Sequence, residues 1–154
     1  MKLTKIETPP RTRIDTTVGT RVFAGDTMIY GDTGWRDVKG LDAAGFSGAL
    51  EVRRINNTVH IRLIALSPPE DLVRPTIVRL PSGLRASGRA MLILTHATAI
   101  GTQARLWIDG AVARVVMGNT NAVDGIYTSS TRLTGINSFV TDDPWPTSLP
   151  GTPL

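Results

Sequence analysis

The chain has 154 residues and no cysteine. That absence removes disulfide staples, thiol catalysis and cysteine-ligated zinc together. It leaves the compartment open, because a sufficient core or oligomer can do without disulfides. Histidine is nearly missing as well. His60 and His96 are the only two, and they lack metal-ligand spacing. His60 sits between Val59 and Ile61 and His96 ends an apolar run, so each reads as an ordinary surface or satisfied side chain. No serine motif accompanies them, and phosphate-loop, dinucleotide and calcium-loop patterns are absent. Long apolar runs are lacking too. The longest, near Ala90 to Leu94, is far too short to cross a bilayer. Met1 to Glu7 has no apolar h-region, so no signal peptide is read there. Acidic groups are thin. After residue 50 the only glutamates are Glu51 and Glu70. Most of Asp32, Asp37, Asp42, Asp109, Asp124, Asp142 and Asp143 stand beside glycine or proline, where aspartate helps form turns. These absences predict a non-enzymatic protein with no catalytic, cofactor-binding or metal residues, no cofactor and no membrane insertion.

Lysine is scarce, with 3 against 14 arginines, and the net charge is +4. The arginines are scattered one or two at a time. A nucleic-acid binder more often gathers them on one stretch or face, so no nucleic-acid partner is expected. A genome rich in G and C gives the same bias. What is abundant is punctuation: 15 glycines and 10 prolines. That density suits many short strands better than long helices. Hydrophobic residues at 41% and charged residues at 19% are enough for a folded core.

The clearest local pattern runs from Leu50 to Leu66. Val59, Ile61 and Leu63 alternate with His60, Arg62 and Ile64, and Leu50 and Val52 alternate with Glu51 and Arg53. Asn56-Asn57 between them suits a two-residue hairpin turn, since asparagine tolerates positive φ. The register then pairs Val52 with Ile61 and Leu50 with Leu63 on the buried side. Glu51 meets Arg62 on the other, as a solvent-facing pair worth a few tenths of a kcal/mol. Further strands are expected at Arg21–Phe23, Thr27–Tyr30, around Arg36–Val38, at Thr76–Leu80, Ile126–Tyr127 and Asn137–Val140. Ala90 to Ala97, apolar through Leu94, reads as a strand buried on both faces. Asp109-Gly110 marks another hairpin between Leu106-Ile108 and Val112-Ala113. Met1 to about Thr20 lacks apolar periodicity and reads as an extended arm that orders on a partner. Thr141 to Leu154 holds four prolines and can be neither central strand nor helix. Trp35 and Trp107 fall in strands and are expected buried. Trp145, between Pro144 and Pro146, is expected to anchor the tail on the body or on a neighbouring subunit.

The expected fold is therefore all-β: an antiparallel β-sandwich, jelly-roll-like, over residues 31–140. Residues 1–30 are an N-terminal anchoring arm with short strands, and residues 141–154 a Pro-rich tail.

Three segments together resemble a known family. They are Gly34-Trp35-Arg36-Asp37-Val38, the hairpin Leu50 to Leu63 with its Val52-Arg53-Arg54 and Asn57-Thr58-Val59, and Leu80-Pro81-Ser82-Gly83-Leu84-Arg85. In that order they resemble the C-terminal module of minor tail and tail-fibre proteins of actinobacterial phages and prophages. The ending Asp142-Asp143-Pro144-Trp145-Pro146 to Gly151 resembles the endings of such proteins. The likeness covers roughly residues 31 to 151. Two departures stand out: Ala86 where the turn usually carries proline, and no long shaft before the module. The resemblance implies a virion structural protein, assembled in the bacterial cytoplasm and exposed on the particle. It implies a homotrimer, attached through its arm to other tail or capsid proteins and binding host cell-surface carbohydrate. No ligand-binding residue carries over from it. A capsid decoration or adaptor protein with a purely assembly role is the competing expectation, and a cell-envelope polysaccharide depolymerase the second.

Overall fold

A computed structural model describes residues 11–96, 104–117 and 126–154. Among them are fourteen strands and one short helix. The strands are β1 (Thr12–Asp15), β2 (Thr20–Ala24), β3 (Thr27–Asp32), β4 (Arg36–Asp37), β5 (Ser47–Ile55), β6 (Thr58–Ser67), β7 (Leu72–Val73), β8 (Thr76–Arg79), β9 (Arg89–His96), β10 (Ala104–Asp109), β11 (Val112–Met117), β12 (Ile126–Tyr127), β13 (Leu133–Val140) and β14 (Thr152–Pro153). A single helical turn, α1, spans Lys39–Asp42.

The pairings are all antiparallel and run β1-β2-β3-β5-β6-β13-β9-β10-β11-β8, with β4 on β5, β14 on β4, and β7 on β12. This path folds into two layers. β9 joins them: Arg89 to Leu94 pair with β10, while Thr95 and His96 pair with Thr134 and Leu133 of β13. Period-two alternation then points one set of side chains from each layer at the other. Leu50, Val52, Val59, Ile61, Leu63 and Phe139 come from the first layer; Ile77, Leu106, Ile108, Ala113 and Val115 come from the second. All are buried in one cluster. Each large apolar side chain so placed contributes roughly 1.5–3 kcal/mol relative to exposure.

The β5–β6 hairpin has the register its alternation demands: Leu50 faces Leu63, Glu51 faces Arg62 and Val52 faces Ile61. Asn56 carries the positive φ of the turn, 53°. Its amide and its Oδ1 also bond the carbonyl and amide of Gly31, both at 2.8 Å, which ties the turn to β3. In the β10–β11 hairpin the turn falls one residue later than Asp109-Gly110, on Gly110-Ala111, because Asp109 still pairs with Val112.

Three expectations are corrected. β9 is not buried on both faces: Met91 and Ile93 are 57% and 71% exposed, so its outer face is open to solvent. Glu51 is not solvent-facing but 5% exposed, covered on its outer face by the neighbours described below. Residues 12 to 20 are not a free extended arm. β1 pairs with β2 over Thr12↔Ala24 to Asp15↔Arg21, and Asp15 caps the turn by accepting from Thr17 N at 2.9 Å. The rest of the expected arm, residues 1–10, lies outside the described residues. The β1–β3 meander adds no hydrophobic residue to the core, exposes Ile14 and Ile29, and pairs with β5 only at Asp32↔Ile55.

Candidate functional site

Three tryptophans organise three polar clusters. The first is at the C-terminal tail. Arg54 follows Leu50 and Val52 on the inward face of β5 and is buried. Its guanidinium is caged by backbone carbonyls. Nε donates to Asn56 O at 2.6 Å, Nη1 to Gly83 O at 2.6 Å and Pro144 O at 2.9 Å, and Nη2 to Asp143 O at 3.0 Å. The Trp145 ring lies 5.2 Å from the guanidinium carbon, and Trp145 Nε1 donates to Val18 O at 3.0 Å. Asp143 returns the contact, its Oδ2 accepting from Gly83 N at 2.7 Å and Arg85 N at 3.2 Å. Burial holds the Arg54 pKa below its ordinary value, partly offset by the Asp143 charge, yet arginine stays protonated. Two glycines admit the tail. Gly83 has φ 91°, and a Cβ there would meet Pro146 N at 2.8 Å. A Cβ on Gly31 would strike the Trp145 ring at 2.5 Å. Further on, Arg36 donates to Pro150 O and Gly151 O at 3.0 and 2.7 Å. The tail thus lies along the body, with Trp145 anchoring it there.

The segments that carry the family resemblance therefore meet at one junction. Thr33 Oγ1 accepts from Arg54 N at 2.8 Å, beside Gly34-Trp35-Arg36, and the Pro81-to-Arg85 turn and Asp143 close around the same arginine. These residues cement structure and leave little donor capacity for a ligand. Ala86, where the resembled turn carries proline, donates its amide to Gly110 O at 2.9 Å, a bond proline could not make.

The second cluster covers the outer face of the first layer. The Arg62 guanidinium lies 4.4 Å from the Trp35 ring and forms an ion pair with Glu51. Trp35, expected buried in a strand, lies just before β4 and is only partly buried. Its ring sits 6.5 Å from His60, whose Nδ1 is 2.7 Å from Ser138 Oγ. Arg53 grips Asp32 through two hydrogen bonds, 2.9 and 2.5 Å. This bonding, partly opposed by desolvation, holds the Asp32 carboxyl below the usual range.

The third cluster is on the outer face of the second layer. Trp107, expected buried, is 39% exposed. It stands between Met91 of β9 and Arg114 of β11 in the ladder. Trp107, Arg74, Asp109, Val112, Arg114 and Val116 line a recess of about 210 Å3. Arg74 reaches it from a left-handed backbone, φ 46°. The Arg114 side chain makes no hydrogen bond or ion pair among the described residues. Asp109 pairs with Arg89 at 3.3 Å.

The other acidic residues serve local structure. Asp37 accepts from Lys39 N at 2.9 Å, and Asp42 pairs with Arg79. Asp142 is exposed, and Asp124 and the His96 side chain lie outside the described residues. Among the described residues no three His, Asp or Glu side chains gather to hold a metal ion. Two residues of consequence escaped sequence reading. Arg54 was detectable, since Leu50-Val52-Arg54 puts it on the core face of its own strand. Arg114 was detectable once Trp107 was placed across the hairpin from it.

No protein-family model matches the chain, and no match is found among the curated proteins or the solved structures.

Proposed function

We propose that this protein is a virion structural protein of a phage, a minor-tail or tail-fibre-like module that attaches the particle to host-surface carbohydrate. The observation that supports the binding role is the recess at Trp107. A partly exposed indole with apolar and charged neighbours is the usual lining of a small-molecule site: a flat apolar floor and a few convergent polar groups. Elsewhere on the described chain the tryptophan–arginine contacts are already committed to the fold. The protein acts as a binding module rather than an enzyme. It assembles as a homotrimer, so that three weak sites gain affinity through effective concentration. A glycan array probed with the full chain tests the reading. Retention of host-envelope glycans that is lost in Trp107→Ala supports it, and an array without signal at millimolar equivalents removes it.

A second reading, an adaptor or decoration protein that only joins neighbours, has its own support in the β1–β3 meander. Three strands with Ile14 and Ile29 exposed and no residue in the core form a surface suited to a partner. Deleting residues 1–20 is expected to leave the sandwich folded while abolishing incorporation into particles. Truncated protein that still enters virions would dissociate the meander from anchoring. The two readings differ in the array result alone.

A further inference from the structure

Resting on the carbohydrate reading, we infer that the Trp107 recess selects a sugar bearing a negative charge, a carboxylate or phosphate on a single ring. Size is the first argument. About 210 Å3 is smaller than the roughly 300–1,000 Å3 of drug-sized pockets, which suits one ring and its substituent rather than an extended chain. Shape is the second. The exposed indole, with Val112 and Val116 beside it, offers one flat apolar wall to the C–H face of a pyranose.

Charge is the third and decides the class. Arg114 lines the recess with one carboxylate, Asp109. Asp109 also pairs with Arg89 at 3.3 Å, so it only partly offsets Arg114. Arg114 has no side-chain partner among the described residues. Its planar fork of N–H donors matches carboxylate and phosphate geometry. A neutral sugar would leave that fork to water. An anionic one would engage it, with the other Asp109 carboxylate oxygen accepting a hydrogen bond from a ring hydroxyl.

The test uses the full chain labelled with nitrogen-15, reading the Trp107 indole cross-peak, assigned by its loss in Trp107→Phe. Three probes are titrated: trigalacturonic acid, glucose 6-phosphate and neutral maltotriose. At least one anionic probe is expected to bind about tenfold more tightly than maltotriose. Whichever does so identifies the source of the charge. Arg114→Gln should abolish the preference while leaving weak binding. Raising salt from about 50 to about 500 mM should weaken the anionic probe and spare the neutral one. Circular dichroism and melting of Arg114→Gln check that it folds. Binding of maltotriose as tight as the anions, with Arg114→Gln inert, would overturn the charge selection and keep the carbohydrate reading. Silence of the indole peak toward all three overturns both. Sedimentation in which Trp107→Ala converts an oligomer to monomer would assign the face to a second copy of the chain and overturn the inference as well.

Discussion

The tail junction and the second-layer recess are built from the same two residue types, yet they differ in every polar valence. At the junction Arg54 has carbonyl partners on all three guanidinium nitrogens, and Trp145 has its indole N–H on Val18. At the recess Arg114 has no side-chain partner among the described residues, and Trp107 stands open to solvent. A tryptophan beside an arginine thus says nothing about role until the donors are counted. Where they are consumed, the pair holds the chain together. Where they are spare, it is available to a ligand.

The sharpest way to break this contrast is to remove Arg54. Four backbone carbonyls would lose a charged donor inside the protein. Arg54→Ala is expected to cost about 3–5 kcal/mol and release the tail, read by chemical denaturation and by proteolysis after residue 141. Arg54→Lys should recover only a minor part. One ammonium cannot reach carbonyls arranged around a planar fork. A loss below about 1 kcal/mol would mean that the cage is not structural.

Arg62→Ala is expected to fall between the two extremes. A wholly exposed pair would cost less than about 1 kcal/mol. Glu51, however, is only 5% exposed, so truncation leaves a covered carboxylate without its cation and takes the contact from Trp35. The expected loss is about 1–3 kcal/mol, measured by urea denaturation.

How much of this was legible follows from what alternation can and cannot encode. Leu50, Val52, Ile61 and Leu63 declare their register because one slip would expose all four. Glu51 and Arg62 share that register, so their pairing was legible too. Their burial was not. It depends on Trp35, which β4 brings over the sheet from outside the hairpin. The same limit hid the recess. Met91 to Leu94 is uniformly apolar in sequence, and nothing local says that its outer face stays uncovered. Arg54 is the converse case. Its inward position was written in the strand, but its partners come from residues 83, 143 and 144, far along the chain.

A smaller effect concerns acid. Arg53 holds the Asp32 carboxyl below its ordinary value. A depressed folded value adds stability that is complete above the unfolded carboxylate range, near pH 4, and is lost as pH falls through the folded value. Wild-type protein should therefore lose stability between about pH 5 and pH 2, and Arg53→Met should lose less over the same interval. Urea midpoints at the two ends measure the difference. Equal slopes in both proteins would remove Asp32 from the acid response.

The smallest effect on stability belongs to the recess, and it completes the contrast with Arg54. Arg114 contributes no side-chain bond to the described fold, so Arg114→Gln is expected to stay within about 0.5 kcal/mol of wild type. Trp107→Ala gives up only the contacts its half-covered ring makes on the outer face, and should cost about 1 kcal/mol or less. Melting temperatures of the two variants beside Arg54→Ala give the comparison directly. If Arg114→Gln destabilised the protein as Arg54→Ala does, its donors would be engaged in holding the fold. The recess would then be a second junction of the same kind as the first, with no spare valence to offer a sugar. If instead the variant melts like wild type, the guanidinium on this face has no structural reason to be there, and binding is the explanation left to measure.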